Sequence, residues 1–203
     1  MMIQTIFLAI VILLSACTPT WSLIKENHEL HQVGEISFKL PLQWVMFNDY
    51  NHRYTIRKQG EDKEISVDRA IVTHNGFGLD VVAVMSIDLK DAFPNIERQA
   101  STSMLPSELA ERYIAEQKIK LGIDYFKITQ NIPVTISDLH GFQIQFHYRD
   151  NDKLQIEHLT IGFVLPQTFV TFTFRAPSVH YFTKGLPTFK KILQSIEFPN
   201  VST

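Results

Sequence analysis

Apolar and polar residues alternate along most of this 203-residue chain, and no other feature of the sequence constrains the fold as strongly. A spacing of two is the period of a β-strand that buries one face. The alternation is clearest over residues 36–40, 126–136, 142–148 and 159–163. Strands that are joined by tight turns run antiparallel, so the pattern predicts a mainly antiparallel sheet.

The segment 64–88 is apolar on both faces and is interrupted by Asn75-Gly76. Asn-Gly is typical of a two-residue hairpin turn, since both turn positions need a positive φ. Such a turn would place Val72 opposite Leu79. A strand pair with two apolar faces is expected in the middle of a sheet that is covered on both sides.

Two irregularities are expected in the second half of the chain. Pro133 cannot donate a ladder hydrogen bond, so the 126–136 strand is predicted to lie at an edge or to contain a bulge. Further on, apolar residues at 154 and 156 are followed by apolar residues at 159, 161 and 163. This offset of three predicts a bulge near Glu157-His158.

Two segments have helical spacing instead. The first begins at Pro106, has an apolar stripe from Leu109 to Leu121 and ends at Gly122. The second covers about residues 178–196, and Gly185 and Pro187 are expected to divide it. The predicted order is four strands, a helix, four strands and a helix. This order indicates an α+β class with helices packed on the faces of the sheet.

The N-terminal segment has a different character, since its first 17 residues carry no charged side chain. The apolar run over residues 6–14 is shorter than the roughly 20 residues that span a bilayer, but it has the length of a signal-peptide core. It is followed by Leu14-Ser15-Ala16-Cys17, and Cys17 is the only cysteine of the chain.

This motif resembles the lipobox of bacterial lipoproteins. The resemblance implies that residues 1–16 are a signal peptide and that Cys17 becomes the acylated first residue of the mature protein. Two acyl chains are enough for stable anchoring in a membrane. The alternative is a plain signal peptide or a short anchor with a chance cysteine, because residues 1–5 contain no Lys or Arg.

The expected location follows from the residue after the cysteine. In lipoproteins of enteric-type bacteria an aspartate at that position causes retention in the inner membrane, and this chain has Thr18. The resemblance therefore implies an outer-membrane protein that faces the periplasm of a Gram-negative host. Residues 17–32 are expected to form a lipidated N-terminus and polar tether, and residues 33–203 a single domain.

A second resemblance covers about residues 33–198. The strand that begins at Ile36 is followed by Pro41 and Trp44. This opening, together with the later strands and helix, is similar to PsbP/Mog1/DcrB-like domains, and more closely to uncharacterised proteobacterial lipoproteins. The matching segments are Ile36-Ser37-Phe38-Lys39-Leu40-Pro41, Ile132-Pro133-Val134, Leu139-His140-Gly141-Phe142, Ala176-Pro177 and Gln194-Ser195-Ile196. The resemblance implies an α/β/α sandwich and a non-catalytic accessory role.

Residues with reactive side chains form no recognisable catalytic pattern. The sequence contains no nucleophile elbow, P-loop or dinucleotide-binding fingerprint. His28 and His31 are three residues apart rather than four, and His147 and His158 are expected to be about three residues out of register. We therefore predict no catalytic residue, no metal ligand and no cofactor. With 19 basic and 21 acidic residues, the net charge of −2 does not favour a nucleic-acid partner.

Two further expectations concern loops. The carboxylates of Asp88, Asp91 and Glu97 follow a strand and have no evident partner. Phe77 and Phe93 lie in a turn and a loop, where they would be exposed and mark a contact surface.

Taken together, these patterns favour a lipid-anchored envelope protein whose domain binds a protein partner. Two alternatives stay open: a periplasmic small-molecule or metal-binding module, which a deep pocket would favour, and an enzyme with a dispersed site.

Overall fold

One nine-stranded sheet organises the computed structural model, which describes residues 21–25, 30–47, 51–58, 61–96, 100–122 and 125–198, with the backbone alone over 51–58 and at 61. Its strands are β1 (Trp21–Leu23), β4 (Val45–Phe47), β5 (Asn51–Lys58), β6 (Glu61–Thr73), β7 (Val81–Asp88), β8 (Phe126–Ile136), β9 (Leu139–Arg149), β10 (Gln155–Val164) and β11 (Thr168–Pro177). The order is β1-β4-β6-β7-β11-β10-β9-β8, and β5 pairs with the same edge of β6 as β4. Every pairing is antiparallel, as the alternation predicted.

Two layers cover the sheet. Helix α1 (Pro106–Leu121) packs on β8 and β9, while helix α2 (Tyr181–Gln194) packs on β11. A separate hairpin of β2 (Leu30–Val33) and β3 (Ile36–Lys39) lies on the same side as α2. We call the two sides the α1 face and the α2 face. The α+β class with helices on both faces of an antiparallel sheet is therefore confirmed.

Each face has its own apolar core, because alternate residues of the central strands point to opposite sides. On the α2 face, Phe172 and Phe174 pack with residues of α2 and β3. On the α1 face, Phe142 and Phe146 pack with residues of α1. Burial on both sides stabilises the sheet by about 25 cal/mol for each Å² of apolar surface removed from water.

The bounds of α1 confirm the sequence prediction. Pro106 occupies the first turn, and the backbone N–H of Leu105 donates to Oε2 of Glu108 at 3.0 Å, which satisfies a donor at the helix start. Gly122 ends the helix with a φ of +57°, a conformation that glycine adopts without a steric penalty.

The division of the second helix was predicted wrongly. Helix α2 is continuous from Tyr181 to Gln194, with Pro187 inside it. Proline removes one backbone donor, but the carbonyl left without that donor belongs to Thr183, which is exposed and can bond to water. The buried stripe that includes Phe182 and Phe189 holds both halves of the helix against the sheet.

The β6–β7 hairpin lies mid-sheet, as predicted, but its register differs by three residues. Val72 pairs with Val82 and not with Leu79. The buried carboxylate of Asp80 accepts hydrogen bonds from the Thr73 hydroxyl at 2.7 Å and from the backbone N–H groups of the next two residues. These bonds stabilise a longer loop in place of a two-residue turn.

The predicted bulge in β10 is also wrong. Pairing of β10 with β9 and with β11 is regular throughout, so Glu157 and His158 lie in an ordinary strand. The offset arises because β10 buries apolar residues on both faces. The edge position predicted for β8 is confirmed, and its register shifts between Ile128 and Gln130, which leaves Thr129 as the extra residue.

The first half of the chain has more strands than predicted. Seven described strands precede α1, because the short strands β1, β2 and β4 have too few residues to show a period. Of these, β1 and all of β2 except Val33 fall in the segment 17–32 that we expected to be a tether. The described part of that segment thus belongs to the fold. Among the described residues, no helix is long and apolar enough to cross a membrane.

Gly185 sets how closely α2 approaches the sheet. A Cβ at this position would lie 2.5 Å from Cζ of Phe174, whose ring is fully buried and stacked on Phe182 and Phe189. We predict that Gly185→Ala lowers the free energy of unfolding by about 1–3 kcal/mol, although alanine favours helix by about 1 kcal/mol. Urea unfolding measures the change. Gly78→Ala, in open space, is the control and should shift stability by less than about 0.5 kcal/mol; a stabilised Gly185→Ala would contradict the packing argument.

Candidate functional site

A cavity of about 250 Å³ lies between α1 and the sheet. We call it the α1 pocket. It is lined by Val67, Arg69, Met85, Ile87, Ala92, Phe93, Tyr113, Glu116, Gln117, Lys120, Phe169 and Thr171. These residues come from β6, β7, β11, α1 and the segment that follows β7, so the pocket exists only in the folded domain.

Strand register forms the apolar floor of the pocket. Ile87 of β7 pairs with Val67 on one side and with Phe169 on the other, so the three side chains form a row on the α1 face. Phe93 packs on Phe169 with the ring centroids 5.0 Å apart. Phe93 is therefore buried, and its predicted exposure is wrong, whereas Phe77 is exposed as predicted.

Glu116 provides a buried carboxylate at the wall. It accepts a hydrogen bond from the backbone N–H of Asn95 at 3.1 Å and from the Asn95 side-chain amide at 2.7 Å. Lys120 lies one helical turn away, with Nζ 3.5 Å from Oε1. The charge of Glu116 is thus paired, as a buried carboxylate requires.

A chain of hydroxyl groups continues from the pocket into the core. The Tyr113 hydroxyl lies 2.9 Å from Oγ1 of Thr160, which lies 3.0 Å from Oγ1 of Thr173. Burial raises the pKa of the Tyr113 phenol, so this group stays neutral and acts only through hydrogen bonds.

The segment between β7 and α1 is fixed by ion pairs. Asp91 pairs with Lys63 of β6, and Asp88 pairs with Lys90 at 2.8 Å. The prediction that these carboxylates have no partner is wrong, because the cations come from a neighbouring strand and from two residues further along the chain. Glu97 lies outside the described residues. Of the two ion pairs, the one between Lys63 and Asp91 links the segment that carries Ala92 and Phe93 to β6.

The pocket also has charged groups. Arg69 and Lys120 contribute cations and Glu116 a carboxylate, with Lys120 and Glu116 paired. The apolar floor, the hydroxyl of Thr171 and these charged groups suit a small molecule with an apolar body and a polar end. This site was not predicted from the sequence. Its one visible signal was Glu116, a charged residue three positions after Tyr113 on the buried side of α1.

His147 and His158 do not converge, as expected. His147 pairs across strands with Glu157, and its Nδ1 lies 3.5 Å from Oε1 of that residue. His158 is the next residue, so its side chain points to the other face. The two histidines differ in register by one residue and not three. Within the described residues, no group of three or more His, Cys, Asp or Glu side chains could hold a metal ion.

The other candidate residues are dispersed. His31 is buried near Phe38, whereas His74, His140 and His180 are exposed. Of His52 the structure describes only the backbone. Cys17 and His28 lie outside the described residues, so lipidation of Cys17 stays a prediction.

His158 is buried within the α1 face. Its ring lies 4.7 Å from that of Phe146 and 5.7 Å from that of Tyr148, and neither ring nitrogen has a hydrogen-bond partner. Burial, and secondly the positive charge of Arg175, lower the pKa of His158 to about 3. The folded protein therefore holds this imidazole neutral.

This gives a prediction for acid stability. The unfolded chain protonates His158 near pH 6.5 while the folded chain does not, so stability falls by up to about 1.4 kcal/mol per pH unit between pH 6.5 and 3. Burial raises the pKa of Tyr148, which faces the ring, so this group stays neutral in this range. His158→Leu should raise stability by about 1 kcal/mol at pH 7, by removing two unsatisfied nitrogens, and by about 2.5 kcal/mol more at pH 4.5.

Urea unfolding at the two pH values checks this prediction. His180→Ala, at an exposed site, is the control and should leave the pH dependence unchanged. Equal acid sensitivity of His158→Leu and the wild type would refute the assignment.

Comparison with known proteins supports the fold. No protein-family model matches the sequence, and no curated protein matches it significantly. Among solved structures, the chain is similar to cyanobacterial PsbP (CyanoP) from Synechocystis sp. PCC 6803, with 8% sequence identity and a TM-score of 0.55 over 91% of this chain and 95% of that chain. A protein of unknown function from Pseudomonas aeruginosa is 10% identical, with a TM-score of 0.49 over 74% of this chain and 99% of that chain. LpqN of Mycobacterium tuberculosis, described as involved in cell envelope biogenesis, is 10% identical, with a TM-score of 0.41 over 88% and 91%. The likeness to CyanoP confirms that this chain has the PsbP-like fold that its sequence resembled.

Proposed function

We propose that this chain is a lipid-anchored envelope protein whose PsbP-like domain acts by binding and not by catalysis. The observation that carries the proposal is Leu14-Ser15-Ala16-Cys17, which places the only cysteine at the one position that acylation requires. Acyl chains on that thiol would attach the domain to a membrane at a free energy of about 0.8 kcal/mol per buried methylene.

The proposed location is the periplasmic side of the outer membrane. Thr18, in place of aspartate, supports export beyond the inner membrane. The proposed partner of the domain is an envelope protein.

Several buried polar groups of the domain make structural contacts, which supports a binding role and not catalysis. Glu116 is bonded to Asn95, the Tyr113 hydroxyl belongs to a chain of threonines, and the imidazole of His158 is neutral and packed among aromatic rings. We therefore propose no catalytic residue.

The anchor is tested by Cys17→Ala. We expect the wild type to carry the mass of its acyl chains and to sediment with membranes, because acylation supplies the anchor. The variant should lack that mass and should not sediment. Mass spectrometry and membrane fractionation, with and without the signal-peptidase inhibitor globomycin, measure both properties. A wild-type protein without the mass of acyl chains would refute the proposal.

The sorting step is tested separately by Thr18→Asp. This variant keeps Cys17, so it should remain acylated, but it should move from the outer-membrane to the inner-membrane fraction of a density gradient. Thr18→Ser is the control and should stay in the outer-membrane fraction. A Thr18→Asp protein that remains there would contradict the proposed sorting.

A second candidate function rests on the α1 pocket, which favours a module that binds a small amphiphilic anion. Its apolar floor would hold a hydrocarbon chain, and Lys120 would attract a carboxylate. Of the alternatives that the sequence left open, this one has a specific cavity in its favour.

Octanoate is a suitable probe of the pocket. We expect saturable binding by calorimetry, weakened about fivefold in Lys120→Gln, since one attractive charge is lost. Lys118→Gln is the matched control, because Lys118 lies on the same helix outside the pocket and contacts the ring of Phe126. If octylamine binds as well as octanoate, or if neither saturates, the pocket is not a site for anions.

A further inference from the structure

Three aromatic rings from separate elements meet at the β1 end of the α1 face. Trp21 of β1 lies beside Phe47 of β4, with ring centroids 4.7 Å apart, and beside Phe77 of the β6–β7 loop at 4.4 Å. Leu23 follows on the same side of β1, and Leu79 follows in the same loop. We call these five residues the aromatic patch.

The aromatic patch is exposed to a degree that is unusual for such side chains. The exposed fractions are 37% for Trp21, 52% for Leu23, 38% for Phe77 and 37% for Leu79. The other tryptophan, Trp44, is buried. Single exposed apolar residues are ordinary, but a contiguous group indicates a surface that is covered in the working state.

The patch is also held in place before any contact. Asp80 accepts four hydrogen bonds from Thr73, His74 and Asn75 at distances of 2.7 to 3.1 Å, and so fixes the loop that carries Phe77 and Leu79. The pairing of Trp21 with Phe47 fixes the other two rings. A surface of this kind binds without the cost of ordering its side chains.

Cationic groups border the patch on the same face. The guanidinium carbon of Arg69 lies 5.8 Å from the ring centroid of Phe47. Arg175 lines a small cavity together with Phe77 and Leu79, in which Asp150 is the one carboxylate. Aromatic rings beside arginines suit the headgroup region of a bilayer, where rings lie at the interface and cations attract anionic lipids.

The sequence places this surface next to the proposed anchor. Trp21 is four residues after Cys17, and four residues of fully extended chain reach about 14 Å. If Cys17 is acylated, the Cα of Trp21 therefore lies within about 14 Å of the lipid headgroups, whatever path the linking residues take.

We propose that the aromatic patch rests on the lipid surface of the membrane that holds the anchor, with Trp21, Phe77 and Leu79 at headgroup level. This inference rests on the proposed acylation of Cys17. It adds an orientation, since the α1 face at its β1 end points toward the membrane and the β8 edge points away from it.

The test uses the full acylated chain in vesicles of phosphatidylethanolamine and phosphatidylglycerol at about three parts to one. Brominated acyl chains quench tryptophan on contact, and subtraction of a Trp21→Phe sample isolates the emission of Trp21 from that of buried Trp44. We expect bromine to remove about half or more of the Trp21 emission, and shallow bromine to quench more than deep bromine.

Matched variants connect the quenching to the patch. Phe77→Ser combined with Leu79→Ser should lower Trp21 quenching about twofold or more while sedimentation with the vesicles is retained through the anchor. Ile132→Ser, equally exposed at 40% but on β8 at the opposite end of the sheet, should leave quenching unchanged. The depth comparison needs only the wild type and the Trp21→Phe sample, so it decides the question even if the double variant folds poorly.

The outcomes separate the orientation from the anchor. Wild-type protein that sediments with vesicles while Trp21 stays unquenched overturns the orientation and leaves the anchor standing. Protein without acyl mass that does not sediment overturns both. Trp21 emission that shifts with protein concentration and not with lipid assigns the patch to a second copy of the chain. Trp21 protected from acrylamide in native envelopes, but not in vesicles, assigns it to a protein partner; either result refutes the lipid contact.

Discussion

Burial of both faces of the central strands is the constraint on which the rest of this structure depends. Along β10 and β11, neighbouring residues point to opposite sides and both sides are apolar, so neither face tolerates water. One side is covered by α1 and the segment before it, and the other by α2 and the β2–β3 hairpin. The close approach of α2 at Gly185, the hydrogen bonds from Asn95 to the buried carboxylate of Glu116, and the ion pair of Lys63 and Asp91 all stabilise this cover.

Helix α1 and the segment before it do not cover the whole α1 face of the sheet. The two candidate surfaces lie where this cover ends. At the inner side of α1, the helix and the floor of Ile87 and Phe169 do not close completely, which leaves the α1 pocket. Further toward β1, the described residues place no helix over the strands, and the rings of Trp21 and Phe77 face outward. Both surfaces therefore follow from a mismatch between nine strands and two helices, and they lie side by side, with Arg69 between them.

Local signals in the sequence were sufficient for some elements and not for others. Helix α1 was predictable from Pro106 to Gly122, because its stop and start residues act within one turn. The β6–β7 register was not, because it is set by Asp80, whose hydrogen bonds compete with the Asn-Gly turn. Pro187 does not divide α2, because packing against the sheet, which lies elsewhere in the sequence, holds both halves of the helix in place. The α1 pocket could not be predicted, because Glu116 and Asn95 come from different parts of the chain and are in contact only after folding.

The bulge of β8 has a consequence for the proposed anchoring on a membrane. An open sheet edge is a template on which another chain can add a strand, and anchoring raises the local concentration at which such encounters occur. At this edge, Thr129 interrupts the ladder and its hydroxyl donates to the carbonyl of Gln145, while Pro133 offers no N–H. The β8 edge is thereby a poor template for strand addition, so the proposed anchoring would not lead copies to join through this edge.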